Sequence, residues 1–541
     1  MSNEGKTPAL TGVAGSAGVA GKISAALALS RILGLVRECV QAKYFGAGFA
    51  TDAFSVAFRI PNLLRDLFAE GALSAAFLPA FARRMELDGK ESAWLLANRL
   101  INTILIFLSC VTLAFFFGAK LLVYIQAAGF AAIPGKLELA TLMTRVLSPF
   151  LLCVSLAAVF MGMLNARGSF FLPAMASSVF NICCILAGIF LSPFMPRWGL
   201  EPIVAMAIGA FFGGFVQFAV MIPSARAGGF RWRWTLDFSD PDLRRIGRLM
   251  LPAILGLSAT QINVIVDNQI ASVYGDGPVS WLGYAFRITQ LPIGVFGIAI
   301  ATVAAADTSR YAAVKDFSAL WRTLDSALCL SACLTFPATV GIVIFRHEIV
   351  RLLFQRDQFT PADTAATAQV LLYYTFALFA YSAVKIMVPA FYALNDNRSP
   401  VRISVITVAF KIALNLILLK PLGFLGIAVS TTAAAWLNYV LLRRRFGSVF
   451  RGAVGVPSVG GDVSVYLRIA LASIVMGLLS RTVFAASGYI IADSGAVALG
   501  ARLCLAITAG IVSIVPLLGL FHIRQAEELR SLTLNFIRKF R

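Results

Sequence analysis

Charge is scarce in this chain. Only 13% of its 541 residues are Asp, Glu, Lys or Arg, while 59% are hydrophobic and the mean hydropathy is +0.83, which excludes a soluble globular protein of ordinary composition. Acids are scarcer than bases, 26 against 46, and no acid-rich metal motif is present. Only two histidines occur, His347 and His522, both outside the centres of apolar runs. HExxH, P-loop and GxSxG patterns are all missing, so the reading is of a protein with no catalytic residues, metal ligands or cofactor. The eight cysteines (Cys39, Cys110, Cys153, Cys183, Cys184, Cys329, Cys333 and Cys504) lack disulfide or metal spacing and read as helix-packing residues. Residues 1–21 are rich in Gly, Ala, Ser and Thr and have no long apolar core. They read as a disordered cytoplasmic lead rather than a cleavable signal, with the first spanning helix directing insertion.

What is abundant is apolar sequence in runs of about 20 residues or more, the length a helix needs to cross a hydrocarbon core of about 30 Å. Barrel strands would be shorter and would alternate in polarity. The fold class is therefore an all-α polytopic membrane protein with about fourteen transmembrane helices. The first helices lie near Lys22 to Phe45, Thr51 to Arg84 and Ser92 to Val123. A fourth and fifth meet at the turn Asn165 to Gly168, and a sixth ends near Pro223. The next three lie near Leu249 to Tyr274, Val279 to Ala313 and Leu320 to Phe345. A tenth to twelfth end at Arg443 to Arg445, and the last two lie near Val465 to Phe484 and Ala496 to Phe521. This divides the chain into an N-lobe at 22–225, a basic cytoplasmic linker at 226–248, a C-lobe at 249–447, two C-terminal helices within 448–523, and a basic cytoplasmic tail at 524–541.

The formal net charge of +20 could suggest nucleic acid, but the basic residues sit mostly in short loops, where they orient a membrane protein; nucleic acid is excluded as a partner. With both termini cytoplasmic, the loops on that side hold more than twice as many Lys and Arg as those opposite, in keeping with the positive-inside rule. The segment Arg346 to Arg356 breaks this pattern and reads as an interfacial amphipathic stretch on the outer face. An internal repeat at an offset of about 228 residues matches Ala57-Phe58-Arg59-Ile60 with Ala285-Phe286-Arg287-Ile288, and the turn at Leu164-Asn165 with that at Leu394-Asn395. An even number of helices separates equivalent points. The two six-helix lobes are thus pseudo-symmetric about an axis along the membrane normal, and substrate sites in such transporters lie between the halves.

Against this apolar background Arg31, Arg37, Glu38, Asp52, Arg59, Arg65, Asp66 and Glu70 stand in the first two helices. An arginine at bilayer depth costs roughly 2.5–3.5 kcal/mol on insertion scales, so such residues imply a partner or a wet cavity. Asp52, Arg59, Asn62, Asp66 and Glu70 share one stripe of the second helix, in which Pro61 is expected to cause a kink or break. Arg31 and Glu38 suit a structural pair, whereas Arg37 has no acid at i+3 or i+4. Arg65 and Arg287 suit either a substrate-facing role or internal salt bridging with Asp66, Asp52 or Glu70. Four arginines, Arg31, Arg37, Arg65 and Arg287, reaching one cavity would cost on the order of 10 kcal/mol together. Guanidinium, always charged and planar, suits an anionic ligand such as a phosphate or pyrophosphate. Asp267 and Lys411, with Asn415, form either a structural pair or part of a coupling-ion site.

The runs SRILGLVRE at Ser30 to Glu38, then FGAG, TDAF, FRIPNLLR and FAEGALSAAFLP through Pro79, closely resemble the MurJ (MviN) lipid II flippases of the bacterial cell-wall pathway. The similarity continues in PAILGLSATQI, in SWLGYAFRITQLPIGVFGIAI from Ser280, and in VPAFYALND before Arg398. It implies the multidrug/oligosaccharidyl-lipid/polysaccharide exporter fold, with two six-helix lobes around a central cavity and two C-terminal helices shaping a groove for a lipid tail. Arg31, Arg37, Arg65 and Arg287 match the family's cavity arginines, Asp52 its acid near the outer gate, and Glu70 and Ser280 further polar positions. The implied activity is movement of lipid II, an undecaprenyl-pyrophosphate glycopeptide, from the inner to the outer leaflet of the cytoplasmic membrane. Membrane lipids and cell-wall synthesis enzymes are the other partners implied. The alternatives are a flippase of another polyprenyl-linked glycan or a cation-coupled drug exporter of the same fold; the latter should line its cavity with acids and aromatics instead of arginines.

Overall fold

A computed structural model describes residues 13–64, 74–454, 463–491 and 495–523. Among them there are helices and no strands, and the chain divides into two compact units at Gly277 and Pro278. The first unit holds α1 (Val13–Phe45), α2 (Phe49–Leu64), α3 (Ser74–Leu87), α4 (Gly89–Gln126), α5 (Lys136–Leu147), α6 (Phe150–Ala166), α7 (Phe171–Leu186), α8 (Val204–Ala219), the short α9 (Met221–Ala227) and α10 (Pro241–Ser272). Of the second helix read through Arg84, Phe49–Leu64 and Ser74–Leu87 are helical and 65–73 lie outside the described residues; α2 itself runs through Pro61.

Small residues let the first unit's helices approach closely, as packing without a hydrophobic drive requires. A Cβ on Gly209 of α8 would fall 2.4 Å from the Cβ of Ala187 at the end of α7. Aromatics fill the remainder: Phe81 lies tilted at 5.3 Å from Trp94, which meets Phe230 edge-on at 5.7 Å, and Phe230 in turn meets Phe160 at 5.4 Å.

The second unit holds α11 (Pro278–Pro292), α12 (Ile298–Ala313), α13 (Phe317–Phe354), α14 (Pro361–Thr375), α15 (Leu378–Ala393), α16 (Arg398–Leu422), α17 (Leu425–Val454), α18 (Val463–Ile490) and α19 (Ala496–Leu520). Helices α11 and α12 join through a π-turn at Ile293–Gly297. Pro292, just before it, has no N–H for the carbonyl one turn back, and the wider winding absorbs the gap. The core is built from Phe379, Phe391, Tyr439 and Phe446 among many alanines. Helices α18 and α19 pack on each other and on α13, where Phe345, Phe484 and Leu503 form a small separate cluster.

Ten of the described helices or joined helices are long and apolar enough to cross a membrane. The pair α14 and α15, bent by 42°, makes an eleventh if taken as one span. The fourteen of the sequence reading add α1, the α2 and α3 stretch, and α10, which are not among those counted over the described residues.

The repeat takes structural form within each unit. Helices α5 and α6 break at Ser148-Pro149, and α14 and α15 break at Phe376-Ala377. The turns that follow are closed by a residue with positive φ, Gly168 at 77° and Asn395 at 58°.

Two polar segments differ from their sequence reading. The stretch from Arg346 continues α13 as far as Phe354, past a bend at Phe345, and is tied to α18 by Glu348 and Arg481 at 2.7 Å. Residues 226–248, read as a joint between lobes, belong to the first unit. Asp240 caps α10 by accepting from the Asp242 N–H at 2.9 Å, with Pro241 at the first helical position. Arg84 bonds both Asp240 and Asp242, Arg83 bonds Asp242, and Arg99 bonds Asp237 and Asp240. Burial alone would raise the Asp240 carboxyl, but hydrogen bonds from Arg99, the Asp242 N–H and Arg84 hold it below the usual carboxylate value. The sequence reading noted this segment's basic residues and not its acids, which bind Arg83, Arg84 and Arg99.

Candidate functional site

A lysine opens α5, where the helix dipole opposes a positive charge, and a buried charge requires partners. Lys136 is fully buried, and its Nζ lies 2.9 Å from Asp52 Oδ2 and 2.7 Å from Asp276 Oδ1. It also donates to the Gly275 carbonyl at 3.4 Å and stands 4.4 Å from the centre of the Phe130 ring. Asp52, in the first turn of α2 where a carboxylate is favoured, is equally buried and accepts from the Gly277 N–H at 2.8 Å. Gly275 and Gly277 adopt φ of 88° and 110°, a region open to glycine at little cost, which lets the loop after α10 fold back onto α2 and α5. One cation and two carboxylates therefore fasten the loop after α10 to α2 and α5 within the first unit.

The second unit ties its corresponding helix starts differently. Ser280, at the repeat position of Asp52, is buried in the first turn of α11, and the neighbouring Trp281 indole N–H donates to Asp363 at the start of α14 at 2.8 Å. Asp363 also closes a capping box with Thr360.

The intramembrane arginines fall into three groups. Arg31 is exposed on α1 and makes no ion pair among the described residues. Arg37 donates to Glu38 at 2.7 Å and lies 5.7 Å from the Phe180 ring centre. The expected pairing of Arg31 with Glu38 is thus not formed. Residues seven apart are separated by about 10 Å along a helix axis, and the adjacent guanidinium reaches Glu38 instead. Arg287 is exposed on α11, one turn before Pro292 and the π-turn, while Arg59 and Asn62 are half-buried on α2. Arg65, Asp66 and Glu70 lie outside the described residues. Asp267 is half-buried on α10 in the first unit; Lys411 and Asn415 are buried on α16 in the second, where Asn415 accepts from Ser430. Lys136 was not singled out from the sequence. Its only signal was the acid Asp52, which could not stay charged at that depth without a cation.

A family model described as "Lipid II flippase MurJ" matches residues 41–490. The chain belongs to the MurJ family. It is 34% identical over 429 residues to a probable lipid II flippase MurJ of Vibrio cholerae, covering 78% of this chain and 81% of that one. A Rhizobium meliloti relative with the same description is 33% identical over 463 residues, covering 84% of both chains. Among solved structures, a MurJ flippase in an inward closed conformation superimposes with a TM-score of 0.73 at 25% identity, over 91% of this chain and 97% of that one. An inward-facing transporter of the multidrug MATE family shares the fold alone, with a TM-score of 0.66 at 17% identity. This chain is thus a multi-span membrane protein of a bacterial flippase family, with the exporter fold that the motifs implied.

Proposed function

We propose that this chain is a lipid II flippase that carries an undecaprenyl-pyrophosphate-linked peptidoglycan precursor from the inner to the outer leaflet of the bacterial cytoplasmic membrane by alternating access. The observation that carries the reading is the family match across residues 41–490. In this reading Arg31, Arg37, Arg65 and Arg287 hold the diphosphate. Guanidinium stays charged at every relevant pH and offers paired donors to phosphate oxygens. Asp52 supports the outer end of the pathway with Lys136, and the polyprenyl tail stays in lipid beside α18 and α19. The chain works as a transporter and not as an enzyme. Both termini face the cytoplasm, as the bias of Lys and Arg toward the loops on that side supports.

The test is depletion of the protein in cells, followed by determination of which leaflet holds the precursor. Accumulation in the inner leaflet, reversed by the wild-type chain but not by Arg287→Ala, is the expected result. Continued appearance of precursor outside would overturn the assignment.

A further inference from the structure

Residues 230–238 read Phe-Arg-Trp-Arg-Trp-Thr-Leu-Asp-Phe and lie between α9 and α10 as an extended ribbon against α4. Two buried asparagines hold it. Asn98 donates to the Arg231 carbonyl at 3.0 Å and accepts from the Arg233 N–H at 2.9 Å, while Asn102 donates to the carbonyls of Arg233 and Thr235, both at 2.9 Å. The Trp232 indole N–H donates to Asn102 Oδ1 at 3.0 Å, fixing that side chain as well. Asn98 also donates to the Trp94 carbonyl of its own helix at 3.0 Å, which fixes its amide, so the two buried asparagines act as a mounting and the ribbon is a built surface.

The apolar side chains it presents are uncovered. Trp232 and Phe238 are each 60% exposed and Trp234 56%, with Leu236 also exposed. Arg231 and Arg233 are exposed between them. The acid within the ribbon, Asp237, is engaged by Arg99, and neither Arg231 nor Arg233 makes an ion pair among the described residues.

The level of this surface follows from α4. That helix is 38 residues long, and between Arg99 and Lys120 it carries twenty residues, Leu100 to Ala119, without a charge. These span about 30 Å, the thickness of a hydrocarbon core. The ribbon is pinned at Asn98 and Asn102, at the edge of that stretch. Tryptophan and arginine there sit at headgroup depth, where amphipathic rings partition and cations meet lipid phosphates.

We propose that the 231–238 ribbon is a binding surface for anionic phospholipid in the leaflet at this end of α4, with the rings of Trp232 and Trp234 among the upper acyl chains and the guanidiniums of Arg231 and Arg233 on headgroup phosphates. It rests on the chain's spanning a membrane and is independent of what the chain transports.

The test uses the full chain in vesicles of phosphatidylcholine with or without phosphatidylglycerol. The fluorescence lost in the double variant Trp232→Phe, Trp234→Phe is assigned to these two indoles, and quenching of that difference by lipid brominated near the top of its acyl chains is the expected result. Phosphatidylglycerol affinity of the double variant Arg231→Gln, Arg233→Gln should fall about fivefold per arginine removed, with weaker salt dependence. Quenching by aqueous iodide but not by brominated lipid would overturn the proposal, leaving the face to water or to a protein. Lipid quenching with unchanged phosphatidylglycerol affinity would also overturn it, since the charge complementarity would then be idle.

Discussion

Lys136 Nζ and Asp52 Oδ2 lie 2.9 Å apart with both side chains completely shielded from solvent. Removing one partner of such a pair leaves an uncompensated buried charge and costs about 3–5 kcal/mol. Lys136→Ala should therefore lower the thermal stability of the purified protein strongly. Lys136→Met combined with Asp52→Asn removes the charges together and should recover part of that loss. A double-mutant cycle by thermal denaturation in detergent measures the coupling; additive losses would show that the two residues act independently.

Just after α4, Gly129 approaches the end of α10 so closely that an added Cβ would fall 2.3 Å from the Ser272 carbonyl oxygen and 2.7 Å from the Val273 nitrogen. Both are backbone atoms, which cannot rotate away as a side-chain tip can. Gly129→Ala should destabilise by about 1–3 kcal/mol. Gly118, on α4 with nothing within 4 Å of its added Cβ, is the control. Gly118→Ala should be neutral or stabilise by up to about 1 kcal/mol. Thermal melts of the two variants side by side check both signs.

Much of this architecture was legible because apolar runs and their charged punctuation obey the thickness of a bilayer. The α4, α18 and α19 helices lie where their apolar runs placed them. What could not be read was partnership at a distance. Nothing near Asp52 in sequence points to Lys136, 84 residues away, or to the Gly277 amide, because a periodic pattern reports a residue's own helix face and not what arrives there. The same limit hid the pairing of Arg84 and Arg99 with the acids from Asp237 to Asp242. The proximity of Arg37 and Glu38 misled in the opposite direction, since i, i+1 neighbours diverge around a helix and only the length of the arginine brings them together.

Asp240 makes the ribbon and the start of α10 sensitive to acid. Its carboxyl is held below the usual value, so its contribution to stability is fully present above the ordinary aspartate range and is lost as pH falls through the depressed folded-state value. Acidification should therefore loosen α10 from Arg84 and Arg99 only below the range in which exposed carboxylates titrate. Asp240→Asn keeps much of the capping geometry but forfeits the ionic hydrogen bonds. It should lose at least about 1 kcal/mol near neutrality and show a flatter dependence of melting temperature on pH. An equally steep profile in the variant would place the acid sensitivity elsewhere.

Arg31 and Arg37 separate folding from transport. Arg31 is exposed and makes no ion pair among the described residues, so Arg31→Ala should shift stability by no more than about 0.5 kcal/mol. If it contacts the diphosphate, the same variant should lose precursor translocation almost entirely. Arg31→Lys should retain only part of it, because ammonium keeps the charge but not the planar pair of donors. Arg37→Ala, by contrast, deprives the nearly buried Glu38 of a donor at 2.7 Å and should lower both stability and transport. Comparing thermal stability with the leaflet distribution of precursor for the three variants decides the matter: a stable, fully active Arg31→Ala protein would remove this residue from the substrate path, and a stable Arg37→Ala protein that does not flip would give Arg37 the same direct role.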